Sequence, residues 1–116
     1  MKVLALIYGD ESRWESLGEQ EREEVYDRYR AFAAVAAAKL VGGAELASTR
    51  VATTVRVRDG QKIVTDGPFA ETKEALGGFF LFDCSDLDEA TEMAAQIPGA
   101  ATGTVELRAG RQEEAA

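Results

Sequence analysis

At 116 residues, 46% of them apolar and only two of them proline, the chain has room for one hydrophobic core and not for two, and it buries enough surface to offset the entropy of ordering it without staples. Its formal charge of −8 repels phosphate backbones and anionic lipid, so neither nucleic acid nor membrane is an expected partner. A single cysteine and no histidine exclude an intrachain disulfide, a structural zinc and a Cys-His nucleophile, so no metal or cofactor is expected.

The opening MKVLALIYGD holds an apolar run too short for a signal segment or a bilayer span. Together with the unpaired Cys84, read as a small buried residue, it points to a cytoplasmic protein. Val3 to Tyr8 reads as a strand with Val3, Ala5 and Ile7 on one face and Leu4, Leu6 and Tyr8 on the other, both apolar. GDESRWESLG reads as a polar loop ending at Gly18, which caps a helix from Glu19; Glu19, Glu21, Glu23 and Glu24 suit its positive end. Val25, Tyr29, Phe32, Ala36 and Leu40 form its buried stripe, and Gly42-Gly43 is read as its exit.

Thr53 to Arg58 and Gln61 to Thr65 read as a hairpin turning at Asp59-Gly60. Arg56 and Arg58 there are read as solvated edge arginines, with an anion grip as the alternative. Gly78 to Cys84 is a further strand, entered at Gly77-Gly78, with Phe79 and Leu81 opposite Phe80 and Phe82. Ser85 and Asp86 are alternative caps of a second helix, each three residues before an acid, with Leu87, Ala90, Ala94 and Ile97 as its stripe and Pro98-Gly99 as its end. Thr102 to Arg108 is the last strand, so the domain spans residues 1–108, and 109–116 is a polar tail expected to fray.

This order fits an α+β fold: a ferredoxin-like subunit, an antiparallel sheet with two helices on one face. The helices cannot cover both apolar faces of the strands, so a second copy packing sheet against sheet is the expected cover, and a homodimer the expected state.

The stretch DGPFAETKE from Asp66 to Glu74, followed by GGFF, with LIYGD early and VELR late, resembles the DGPF-domain branch of the YCII-related proteins over Lys2 to Arg108. The resemblance implies a dimeric α+β barrel. Some YCII-related relatives are lyase-like enzymes on chlorinated aromatics that use a His-Asp pair. Only the acidic half of that pair could correspond here, to Asp66.

Asp66 has two readings. As a turn residue, its carboxylate accepts the amide of Phe69 and caps a short helix from Ala70 to Leu76 with Pro68 at the first position. As a site residue it is the catalytic acid-base group, with Tyr8, Pro68, Phe69 and Lys73 against a small-molecule ligand. Its ordinary pKa near ~3.9 then has to rise toward 7, with Glu71 or Glu74 pushing it up and Lys73 pulling it down. Tyr8 also reads as a core or dimer-interface residue. Three functions remain open: a small-molecule pocket protein with weak lyase-like catalysis, a non-catalytic sensing or accessory module linked to transcriptional regulation, and a structural dimer with a vestigial pocket.

Overall fold

The computed structural model describes residues 1–111. Its elements are β1 (Lys2–Gly9), α1 (Glu11–Ser16), α2 (Glu19–Ala36), β2 (Leu40–Glu45), β3 (Thr53–Arg58), β4 (Gln61–Asp66), β5 (Ala75–Asp83), α3 (Leu87–Ala94), α4 (Gly99–Thr102) and β6 (Thr104–Ala109). A single 3₁₀ turn at Thr49–Val51 lies between β2 and β3. The fold is mixed α+β, with a four-stranded sheet ordered β2-β5-β1-β6 whose pairs are all antiparallel. No helix among the described residues is long and apolar enough to cross a membrane.

Alternation in the central strands sorts the core as read from the sequence. Val3 and Ala5 pair with Phe82 and Phe80. Val3, Ala5 and Phe82 are buried with Phe32 and Ala36 of α2, Ala90 and Ala94 of α3, and Ile97. Phe32 sits 5.2 Å from Phe80 and 6.2 Å from Phe82, ring centre to ring centre. Leu4, Leu6, Phe79 and Leu81 point to the opposite face, where they stay half-buried. Asp86 is the cap of α3, accepting the Glu89 amide at 2.8 Å, while Glu89 accepts the Ser85 amide at 3.1 Å.

In four regions the elements differ from the sequence reading. First, α2 ends at Ala36, and Leu40 opens an edge strand; the Gly42-Gly43 pair lies inside it. Leu40 satisfies both a helical and a strand period, and pairing with β5 decides between them. A Cβ on Gly43 would meet Phe79 O at 2.6 Å and Phe80 Cδ1 at 2.7 Å, so glycine is what lets β2 come this close to β5. Second, the polar loop after β1 contains α1, a helix too short to show a hydrophobic stripe. Third, no helix forms over Ala70 to Leu76. Asp66 is the last residue of β4, paired with Thr53, and Ala75 and Leu76 already belong to β5, so Gly77-Gly78 lies within the strand. Fourth, Pro98-Gly99 starts the one-turn α4, which takes Thr102, and Ala109 extends β6 by one residue beyond the domain end expected at 108. Of the expected tail, residues 112–116 lie outside the described residues.

The hairpin forms as expected, with Asp59 and Gly60 both at positive φ, 51° and 75°, the geometry that matches strand twist in a two-residue turn. It pairs only with itself, as a separate two-stranded sheet. The molecule measures 52 × 46 × 19 Å with a radius of gyration of 16.4 Å, against about 13 Å for a compact chain of this length.

Candidate functional site

The register of the sheet builds a cleft at the end of β1. Gly9 pairs with Ala75, which brings the segment entering β5 alongside the start of α1. Asp10 caps α1: its carboxylate accepts the Ser12 amide at 2.9 Å and the Ser12 hydroxyl at 2.6 Å. Those two bonds, with a smaller pull from the Lys73 ammonium, hold its carboxyl below the usual range, so Asp10 is an anion at neutral pH.

α1 is gripped from two sides. From α2, Arg22 donates to the carbonyls of Trp14 and Glu15 at 3.2 and 3.1 Å and lies over the Trp14 ring, 5.5 Å from its centre. Trp14 in turn meets Tyr26 edge to face. On the other side Glu11 accepts the Thr49 amide at 2.8 Å and the Thr49 hydroxyl at 2.7 Å, and these bonds lower its pKa. Arg50 makes a two-point contact with Glu15 at 2.5 and 3.3 Å. The β2–β3 connection is thereby pinned to α1.

The fourth wall is the β4–β5 connection. Gly67 donates to Ala52 O at 2.7 Å and accepts from the Thr54 hydroxyl at 2.8 Å. Glu74 is fixed at the far end, its carbonyl taking the Thr72 hydroxyl at 2.6 Å and its carboxylate the Thr104 hydroxyl at 2.8 Å. These walls enclose an open cleft of about 350 Å³, lined by Asp10, Glu11, Ser12, Thr49, Arg50, Gly67, Pro68, Ala70, Glu71, Thr72, Lys73 and Ala75. That volume suits a small ligand.

Of the five residues expected at the site, Pro68 and Lys73 line this cleft. Asp66 is exposed at the end of β4 and makes no cap to Phe69; Phe69 itself is 80% exposed. Tyr8 is half-buried beside Leu6 on the uncovered sheet face, paired with Leu76 and Thr104. The structure therefore gathers two of the five in the cleft and leaves three outside. Asp10, Ser12, Thr49 and Arg50 were not anticipated. The one available signal was Asp10 immediately before Glu11 and Ser12, a helix start that the brevity of α1 hid.

Within this cleft the committed groups are Asp10, Glu11 and Arg50. Lys73 makes no hydrogen bond or ion pair with another described residue. It can therefore donate to an oxygen of a ligand. Among the described residues no three His, Cys, Asp or Glu side chains converge in a way that could hold a metal ion.

A family model described as the YCII-related domain matches residues 1–111. An uncharacterized protein of Rhizobium meliloti (strain 1021) is 43% identical over 112 residues, covering 93% of this chain and 90% of that protein. Among solved structures, the 5-chloro-2-hydroxyhydroquinone dehydrochlorinase of Burkholderia phenoliruptrix AC1100, in complex with 2,5-dihydroxybenzoquinone, superimposes with a TM-score of 0.56 at 14% identity, over 97% of this chain and 96% of that one. At that identity the likeness is one of fold.

Proposed function

The chain belongs to the YCII-related domain family, and on that premise we propose that it is a small-molecule pocket protein of the DGPF branch whose cleft takes a small hydroxylated ring, with weak lyase-like catalysis at most. The observation that carries this is the uncommitted Lys73 in a cleft where Asp10 and Glu11 are already engaged. A dihydroxyquinone is acidic enough to be an anion at neutral pH, and an ammonium is its natural counter-charge. The ligand of the dehydrochlorinase with the shared fold is of that class.

With no histidine in the chain, proton transfer in the cleft falls to carboxylates or to Lys73. Asp10 is held ionised and is a poor proton donor. Two carboxylates are left for acid-base work: Glu71, which lines the cleft, and Asp66, whose chain neighbour Gly67 lines it and whose own carboxylate is free of a cap. The strand order β2-β5-β1-β6 supports a ferredoxin-like subunit. The half-buried apolar face of Leu4, Leu6, Phe79 and Leu81 supports a homodimer closed sheet against sheet, with Tyr8 at that interface. A second reading, a non-catalytic sensing or accessory module, is favoured by the same ionised and committed Asp10, which binds more readily than it exchanges protons.

Calorimetric titration with 2,5-dihydroxybenzoquinone tests the proposal. Binding at least tenfold weaker in Lys73→Met than in wild type is the expected outcome. Equal affinity removes the cleft from the reading. Chloride and one proton released from a chlorinated hydroquinone by wild type, and not by Asp66→Asn, separates the enzyme from the module.

A further inference from the structure

The cleft sets one charge of each sign on facing walls and keeps them apart. Antiparallel pairing of Gly9 with Ala75 carries Asp10 out of β1 where Lys73 comes in towards β5, and both residues line the cleft. The hydrogen bonds to the Asp10 carboxylate come from the Ser12 amide and hydroxyl, and both end on Oδ1. They fix the carboxylate in place and hold it ionised, with the Arg13 amide and the Lys73 ammonium pulling the same way more weakly. An ionised carboxylate only accepts hydrogen bonds, so Oδ2 is left as an acceptor in a fixed position, while an ammonium only donates. An un-ionised hydroxyl answers both, because it donates one proton and accepts on its lone pairs. An oxyanion answers Lys73 alone and is repelled by Asp10. The remaining charges of the lining add to that repulsion: Glu11 and Glu71 stand beside Asp10, and Arg50 is already paired with Glu15.

We propose that Asp10 is the specificity residue of the cleft: its Oδ2 accepts the proton of a ligand hydroxyl whose oxygen accepts from Lys73, so the cleft takes a ring hydroxyl that keeps its proton in preference to one that has lost it. The inference rests on the ligand cleft proposed above and adds which form of the ring it selects. A quinone anion is held by Lys73 alone, and the reduced, hydroxyl-bearing ring by both groups. Glu71 also lines the cleft, but no hydrogen bond from a described residue fixes its carboxylate, so a ligand has to order it on binding.

Paired calorimetric titrations at neutral pH test it, one with 2,5-dihydroxybenzoquinone and one with its two-electron reduced form, 1,2,4,5-tetrahydroxybenzene, kept anaerobic. Asn caps a helix about as well as Asp; in Asp10→Asn the side-chain oxygen keeps the Ser12 bonds and an NH₂ donor stands where Oδ2 stood, so the melting temperature should not change. The expected result is that Asp10→Asn binds the reduced ring roughly tenfold more weakly than wild type and binds the quinone equally well or more tightly, since a repelling charge is gone. A merely structural loss would weaken both together. Lys73→Met should weaken both, and Glu71→Gln should leave the preference in place. An Asp10→Asn variant that binds the reduced ring as wild type does, or that shifts both ligands in one direction, overturns the role of Asp10 and leaves the cleft standing, as does a preference erased by Glu71→Gln. Binding of neither ring by wild type overturns both.

Discussion

The four-stranded sheet and the hairpin are built from the same kind of strand, yet one has a core and the other has none. Every buried apolar residue of the described chain belongs to the sheet, its helices or their connections, while of β3 and β4 only Thr54 is even half-buried. Both are antiparallel ladders, the hairpin's unbroken and the sheet's shifted in register at Ile7/Tyr8 and at Leu40/Gly42. The difference teaches that hydrogen bonding sets the shape of a strand pair, and burial decides whether it stands alone. The cleft lies where the two regions join, its walls held by polar contacts rather than by the core.

That contrast is broken most severely from the core side. Phe82, fully buried between Phe32 and Phe80, should lose about 3–5 kcal/mol of folding stability on replacement by alanine. Urea unfolding measures it, and a loss under about 1 kcal/mol would mean that the core is not centred there.

An intermediate effect is expected at the junction. Glu11→Gln removes charge from the two bonds to Thr49 and should cost about 1–2 kcal/mol, together with a looser ligand site. The sign of its pH dependence follows from the lowered pKa. The folded state favours the ionised form, so the stabilisation is present above the ordinary value of 4.5 and fades as pH falls below it through the folded value. Melting curves of wild type and Glu11→Gln should therefore converge in acid. Curves that stay parallel down to full protonation would show that the charge on Glu11 contributes nothing.

The smallest effect belongs to the hairpin end. Because Asp66 is exposed and caps no helix, both Asp66→Asn and Asp66→Ala should change stability by less than about 0.5 kcal/mol. An alanine penalty near 2 kcal/mol with asparagine neutral would restore the capped turn expected from the sequence.

Much of the body was legible in the sequence. Alternation in VLALIY and in FFLF placed Val3, Ala5, Phe80 and Phe82 on one face and Leu4, Leu6, Phe79 and Leu81 on the other. The spacing of Phe32 and Ala36, and the Asp86 to Glu89 box, were equally plain. These signals are local, since a period of two or of 3.6 is written in a few neighbouring residues. The DGPFAETKE stretch led to the family, and two of its residues, Pro68 and Lys73, reached the cleft.

What tertiary structure alone decided depends on partners distant in the chain. Leu40 to Glu45 becomes a strand because β5 offers an edge that Gly43 can approach closely. Asp66 ends a strand because Thr53 pairs with it, which removes the helix it was expected to cap. The cleft brings Asp10 to Lys73 across more than sixty positions through the Gly9 to Ala75 pairing. No local pattern encodes such a meeting: a backbone pair forms when the rest of the sheet has fixed both strands, and each side chain then goes where its strand has been placed.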